Sequence, residues 1–524
     1  MSLWYNFSQL RSAPLLLRID NLIHRYVTHQ ILAPTRIGIA MRATLTVLIG
    51  IMIGVGVTVA GDMSSKNRLM VLVLMLLPFA MMLVNNLRLV MLAIIPFETA
   101  IPVDTNLNYR EDLAVYSAIA GFNISITAIV LVALYFFWIT QMLAQRGELA
   151  RLFPKASLPH LGYFLATLLS MRVATDPSMT LNEVILIFYA LLLTTYIIST
   201  FSRREELQFM MIVVCAVLVL QGLLMIGVFL IRDDIRVGPL FVRFDSHTGR
   251  VGGTLGSPNG AATYLVMMLP ITVVGMAMFQ KRWLKQLATA AFILGVTGLF
   301  LTQSRGGLIG FTVSMMILSL MAAARGWMKL KWPLMIAYVG MIPMVMLAPI
   351  LFARFLSDDG GSAESRGPLA EIAMRMIEDH WVFGVGANNF AIVKDYYVTP
   401  EFADAWLSTV HNHFLRVWAE MGIIGLGAYL VLIITTLYIG LLCWEMRGID
   451  PLMGMLAIAL SAGILGLQLQ LAFELFNART PVHTLWFTSA LVIASYTIAR
   501  RERRALPAAQ QTAPPAALAA EQRL

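Results

Sequence analysis

The chain has 524 residues, of which 59% are hydrophobic and only 13% charged, against roughly 25% charged in an average soluble domain. Its apolar residues suffice for a dozen or more bilayer spans of roughly 20 residues each, which excludes a soluble enzyme, a disordered protein and a secreted disulfide scaffold. The 38 basic and 29 acidic residues leave a net charge of +9, which in so apolar a chain reads as basic cytoplasmic loops and not as nucleic-acid binding.

The apolar runs are long and continuous, not alternating. The expected fold is therefore all-α, a polytopic membrane bundle of 12–14 helices with a long periplasmic loop, and not a β-barrel. Residues 1–42 are mixed and basic (Arg11, Arg18, Arg25, Arg36, Arg42) and form a cytoplasmic N-terminal segment with no signal-peptide pattern. Apolar runs follow at 43–60, 69–84, 87–99, 122–142, 158–174, 182–200, 208–230, 261–279, 287–303, 307–324 and 333–352. The run at 87–99 is short enough to be a re-entrant piece. These make a transmembrane bundle over 43–352. The large loop 353–413 separates it from the C-terminal helices of 414–499, with runs at 414–442, 452–472 and 482–499. Residues 500–524 turn rich in Ala, Pro and Gln and read as a disordered cytoplasmic tail. Cys215 and Cys443 both sit inside apolar runs and make neither a disulfide framework nor a metal site.

Basic turns set the orientation. They occur at Arg146/Arg151/Lys155, Arg203/Arg204, Lys281/Arg282/Lys285, Arg325/Lys329/Lys331 and Arg500/Arg501/Arg503/Arg504, each separated from the next by an even number of runs. All five fall on one side, the cytoplasmic one, as do both termini. The other side receives the loops near 100–121, 175–181, 231–260, 303–306, 353–413 and 473–481. The longest, 353–413, carries four Lys/Arg against nine Asp/Glu, and a loop of that length is usually functional.

Three external segments hold residues capable of chemistry. Within the long loop, Leu369, Ile372, Ala373, Met376 and Ile377 recur at helical spacing, with Pro368 suited to a first turn; this predicts an amphipathic helix. Arg366 stands at its start, where free N–H groups add to the guanidinium charge and suit an anion. A flexible turn, Gly384-Val385-Gly386-Ala387-Asn388-Asn389-Phe390, comes next, and the loop closes on His411-Asn412-His413. Histidine exchanges a proton near neutral pH and suits a general base, although an interfacial histidine also serves structure. The i, i+2 spacing of the pair, with no Cys or Asp cluster beside it, argues against a metal. In a second segment, Arg250 precedes Gly252-Gly253-Thr254-Leu255-Gly256-Ser257-Pro258-Asn259-Gly260, which opens a helix and either brings backbone N–H groups to a ligand or simply turns the chain. The third, Ser304-Arg305-Gly306-Gly307, puts an arginine at the hydrocarbon boundary, where it either snorkels or binds. The topology collects Arg250, Arg305, Arg366 and His411 on one face. Several arginines can hold a diphosphate through charge-assisted hydrogen bonds, and a neutral histidine beside them can deprotonate an attacking hydroxyl.

The ordered set Gly253-Thr254-Leu255-Gly256-Ser257-Pro258-Asn259, Ser304-Arg305-Gly306, Gly384-Val385-Gly386, Asn389-Phe390, His411-Asn412, Phe414-Leu415 and Glu420/Gly422 resembles the O-antigen ligase and O-antigen polymerase superfamily. Phe122-Asn123-Ile124-Ser125-Ile126-Thr127 resembles its earlier part, so the likeness spans residues 100–445. The resemblance implies a bacterial inner-membrane glycosyltransferase that is metal-independent and has no cofactor. Its donor would be an undecaprenyl diphosphate-linked glycan taken at the periplasmic face. Its acceptor would be a lipid or a glycan, and its other partners membrane lipids. His411 matches the family's essential histidine. Arg305 and Arg366 match its diphosphate-binding arginines best, with Arg250 close behind; His413, Asn412 and Asn259 are secondary candidates. Direct attack at the anomeric carbon would invert configuration. The alternative from another class is a transporter or flippase of lipid-linked glycans, which predicts internal repeats and helices broken near the midplane. Arg172 and Glu474, within or beside apolar runs, are the residues to inspect under that alternative.

Overall fold

A computed structural model describes residues 87–116, 118–144, 153–237, 240–324, 366–400, 408–475 and 478–505. The expected N-terminal segment, the runs at 43–60, 69–84 and 333–352, and residues 506–524 of the expected tail lie outside them. The chain divides into two units.

The first unit comprises Met1–Thr105, Ile124–Phe153 and Arg236–Leu240. It pairs helix α1 (Leu87–Ala100) with helix α2 (Ile126–Ala144). The run at 87–99 is thus a 14-residue helix, with Pro96 inside it. A buried carboxylate joins the two helices. Glu98 accepts hydrogen bonds from Thr127 Oγ1 at 2.6 Å and from the Val103 backbone at 3.2 Å, which satisfies oxygens that burial would otherwise leave costly.

The second unit comprises Asn106–Asn123, Pro154–Ile235 and Phe241–Leu524. Its principal helices are α3 (Leu158–Ser170), α4 (Pro177–Thr200), α5 (Arg204–Ile231), α6 (Pro258–Met278), α7 (Arg282–Thr302), α8 (Arg305–Ala324), α9 (Arg366–His380), α10 (His413–Glu445), α11 (Pro451–Leu471) and α12 (Arg479–Ala505). Eight of these, all but α3 and α9, are long and apolar enough to cross a membrane, as expected for an all-α polytopic protein. The expected span at 158–174 is shorter than its hydropathy suggests. Helix α3 stops at Ser170 after 13 residues, because the chain turns there to begin α4, whose N-cap Asp176 accepts from the Ser178 backbone. The segment 500–505, expected to open the tail, continues α12 instead.

Between α5 and α6 the chain forms a small antiparallel hairpin where only a loop was expected. Strand β1 (Leu240–Asp245) pairs with β2 (Arg250–Gly253), placing Asp245 opposite Arg250 and Phe244 opposite Val251. The period-2 pattern explains it: Val242 and Phe244 turn inward and Arg243 outward.

Spans joined directly by a short described connection run in opposite directions. One end of the bundle holds the short turns α4–α5, α6–α7 and α10–α11, two of them tied by Arg204 Nη2 to Asp450 Oδ1 at 3.1 Å. The other end holds the hairpin, the α7–α8 turn, α9, the start of α10 and the α11–α12 connection. Helices α8 and α11 approach until their backbones touch: a Cβ placed on Gly310 would strike the Gly466 carbonyl, and one on Gly466 the Gly310 carbonyl. Such small-residue contacts maximise packing where lipid gives helices no hydrophobic reason to associate.

Helix α10 is broken at Gly422, whose φ of 64° and ψ of −169° lie outside the helical region. The break lets the Ile423 N–H bond the Trp381 carbonyl at 2.8 Å, while a Cβ at Gly422 would collide with the Val382 backbone. Gly422→Ala therefore meets both positive-φ strain and a backbone clash, together about 3 kcal/mol or more. It should markedly lower the melting temperature in detergent, and an unchanged melt would refute this account of the break.

Candidate functional site

The segment between α9 and α10 is not the flexible turn its glycines suggest. Val385 and Gly386 donate to the carbonyls of Ala419 and Glu420 on α10 at 3.0 and 2.8 Å. The Asn388 amide bonds both polar groups of the Ile119 backbone and the Met179 carbonyl, at 2.8–2.9 Å. Asn389 accepts from the Asp176 N–H at 2.7 Å and donates to Thr180 Oγ1 at 2.9 Å. Two adjacent asparagines thus tie the loop to the start of α4 and to residues near 119, because their amides can donate and accept at once. Helix α9 closes over this framework as its periodicity predicts, burying Leu369, Ile372, Ala373, Met376 and Ile377 against Val385, Phe390, Val393 and Ala419.

Beneath the loop, Arg416 on α10 is fully buried between two carboxylates. Its Nη2 lies 2.6 Å from Glu183 Oε2 on α4, and its Nε lies 2.9 Å from Glu420 Oε2 one turn along α10. The second oxygen of Glu420 accepts from the Phe390 N–H at 3.1 Å. This network joins two spanning helices to the loop and satisfies each charge with a charge-assisted bond.

A second charged group lies at the end of the bundle that holds the hairpin. Arg250 leaves β2 with its Nε on the Thr302 carbonyl at 2.9 Å and its Nη2 on Asn259 Oδ1 at 2.5 Å. Asn259 stands in the first turn of α6, whose N-cap Ser257 accepts from the Gly260 N–H. The Asn259 carbonyl accepts from Gln470 Nε2 at 3.2 Å, so the last turn of α11 joins the group. Glu474, just past α11, hydrogen-bonds Asn259 and lies within electrostatic reach of Arg366 and Arg250. Burial pushes its carboxyl up to about 7, the two guanidiniums and the Asn259 amide opposing the rise. Arg366, at the exposed N-terminus of α9, also acts on His411. Burial first and the Arg366 charge second push the His411 imidazole down to about 4, so it is neutral at neutral pH. Its Nδ1 is buried and has no hydrogen-bond partner among the described residues.

Of the residues singled out in the sequence, Arg250, Asn259, Arg366 and His411 are therefore linked, with Glu474 and Arg366 as the connecting members. Arg305 opens α8 at the same end: a Cβ on its neighbour Gly306 would touch the Gln470 side chain at 3.3 Å, beside the Gln470–Asn259 contact. Asn412 and His413 have other occupations. Asn412 is the N-cap of α10 and accepts from the Leu415 N–H at 3.1 Å. His413, the first residue of that helix, is buried edge-on against the Tyr429 ring, with centroids 4.8 Å apart. Sequence reasoning placed Glu474 only under the transporter alternative and missed Gln470. Gln470 lies at the end of a long apolar run and Glu474 just past it, and their membership depends on where α11 ends beside α6. Among the described residues, no group of three or more His, Cys, Asp or Glu side chains gathers as a metal-ligand set.

Residues 290–430 match the family model described as O-antigen ligase. The match takes in Arg305, Arg366 and His411 and stops short of Glu474. It supports a likeness to the O-antigen ligase and polymerase superfamily. No curated protein matches the chain.

Proposed function

We propose, from the O-antigen ligase match and the charged cluster at one end of the bundle, that this protein is a membrane glycosyltransferase. It moves a glycan from undecaprenyl diphosphate to a hydroxyl of a lipid or glycan acceptor. The observation that carries the reading is that Arg366 and Arg250 both act on the Glu474 carboxylate while Arg366 also acts on His411, these residues coming from segments up to 161 positions apart. In this reading the site faces the periplasm from the inner membrane, with both termini in the cytoplasm. Its support is the basic character of the opposite end, where Arg203, Arg204, Lys281, Arg282, Lys285, Arg447, Arg503 and Arg504 flank the helices.

The chemistry follows from the residue types. Arg366 and Arg250, with Arg305 at the rim, hold the diphosphate by charge-assisted hydrogen bonds and stabilise the charge that builds on it as it leaves. The acceptor oxygen forms a bond to the anomeric carbon as the bond from that carbon to the diphosphate oxygen breaks. The diphosphate keeps the electron pair, and the hydroxyl proton passes to His411. Attack from the opposite face inverts the anomeric configuration. A bound diphosphate also offsets the Arg366 charge that depresses His411, so donor binding strengthens the base it needs. The flippase alternative draws no support from the break in α10, since the backbone of Trp381 and Val382 fills it.

The test is transfer by the purified protein, supplied with undecaprenyl diphosphate-linked glycan and acceptor. One lipid diphosphate should be released per inverted glycosidic bond formed. Arg366→Ala should weaken donor binding about tenfold to a hundredfold, the scale of a lost charge-assisted hydrogen bond. Absence of transfer by the wild-type protein, or an Arg366→Ala variant with undiminished donor affinity, would defeat the proposal.

A further inference from the structure

Glu474 is the one carboxylate the cationic group contains among the described residues, and the transfer chemistry gives it no role. Its surroundings come from several elements. Asn259 of α6 hydrogen-bonds it, and Arg250 of β2 and Arg366 of α9 act on it electrostatically. Arg305 opens α8 beside Gln470, Arg479 opens α12 five residues downstream, and His411 shares Arg366 as its charged neighbour. The Asn259 amide is oriented to serve it: Oδ1 already accepts from Arg250, so Nδ2 is left to donate to the carboxylate. A carboxylate fixed among guanidiniums offers the same kind of negative oxygens that a diphosphate would bring. A diphosphate held by these arginines would also come within electrostatic reach of the Glu474 carboxylate, and the two anions repel, especially where burial weakens screening.

We propose that Glu474 is a built-in counter-anion of the diphosphate site: it neutralises Arg250 and Arg366 between turnovers, and it takes up one proton from solvent when a diphosphate replaces it. The proposal rests on the transferase reading above, in which those arginines receive a diphosphate. It adds that donor binding is coupled to protonation. The carboxyl, raised by burial to about 7, loses its charge at modest cost. The sign follows directly. Below pH 7 the carboxyl is already neutral and does not compete with the ligand for the arginines. Above pH 7 each further pH unit weakens diphosphate binding by up to tenfold, because a proton must be gained.

Titration calorimetry of the full-length protein with a farnesyl diphosphate sugar, a diester whose phosphates stay ionised from pH 6 to 8, in buffers of different ionisation enthalpy, measures the coupling. Wild-type protein should take up close to one proton per ligand at pH 8 and close to none at pH 6. Glu474→Gln should take up none at either pH and bind about tenfold more tightly than wild type at pH 8. Glu474→Asp retains a carboxylate and should retain the uptake. The wild-type buffer series alone decides the matter if the Gln variant does not fold. Binding without proton uptake at pH 8, or weaker binding by Glu474→Gln, would overturn the counter-anion while leaving the diphosphate site intact. Failure of wild-type protein to bind the farnesyl diphosphate sugar at either pH would overturn the diphosphate reading itself.

Discussion

His411→Ala protein should insert and fold normally, bind the lipid diphosphate donor, and transfer glycan about 10²- to 10⁴-fold more slowly than wild type, the usual contribution of a positioned general base. Folding should survive because His411 precedes the Asn412 cap and its Nδ1 makes no hydrogen bond among the described residues, so little structure depends on it. The pH dependence supplies a second readout. Burial and Arg366 hold the free imidazole at about 4, so the acidic limb of kcat/KM that belongs to this residue should lie near pH 4, not near the ordinary 6.5. With donor bound, the diphosphate offsets the Arg366 charge, and the corresponding limb of kcat should move upward. A variant as fast as wild type, or an acidic limb in kcat/KM near 6.5 that disappears with His411, would contradict the assignment or its electrostatics respectively.

Arg416→Met should be the most destabilising single change in the second unit. It leaves Glu183 and Glu420 facing one another in the bundle with their shared cation gone, and breaking a buried pair from one side costs about 3–5 kcal/mol. The physics also predicts a rescue. Neutralising all three members, as Glu183→Gln/Arg416→Met/Glu420→Gln, removes the unpaired charges and keeps an amide carbonyl at position 420 to accept from the Phe390 N–H. The triple variant should recover most of the lost stability, read as accumulation of monodisperse protein in detergent and as melting temperature. A single variant as stable as wild type, or a triple variant no better than the single, would show that the network is not held by charge balance.

Much of this architecture can be read from the sequence, and the reasons are local. Spans such as α5, α8 and α11 announce themselves because lipid demands an unbroken apolar run, and α9 because five apolar residues recur at helical spacing. The shared end of Arg250, Arg305, Arg366 and His411 follows from the parity of spans between basic turns. Other features depend on contacts between distant segments. Asn388 and Asn389 look like turn residues, yet their amides bond backbone near 119 and 176. His411 and His413 are two residues apart, but the Asn412 cap separates a histidine that senses Arg366 from one buried against Tyr429. Glu474 reads as a lone acid after a span until α6 and the hairpin are laid beside it.

The backbone contact between Gly310 and Gly466 has a consequence for how such an enzyme can diversify. With no side chain between α8 and α11, neither helix can accept even a methyl group there without moving, so the offset between Arg305 and the turn carrying Glu474 is a fixed ruler. If the protein is the transferase proposed above, adaptation to a bulkier or shorter sugar falls to elements other than this helix pair.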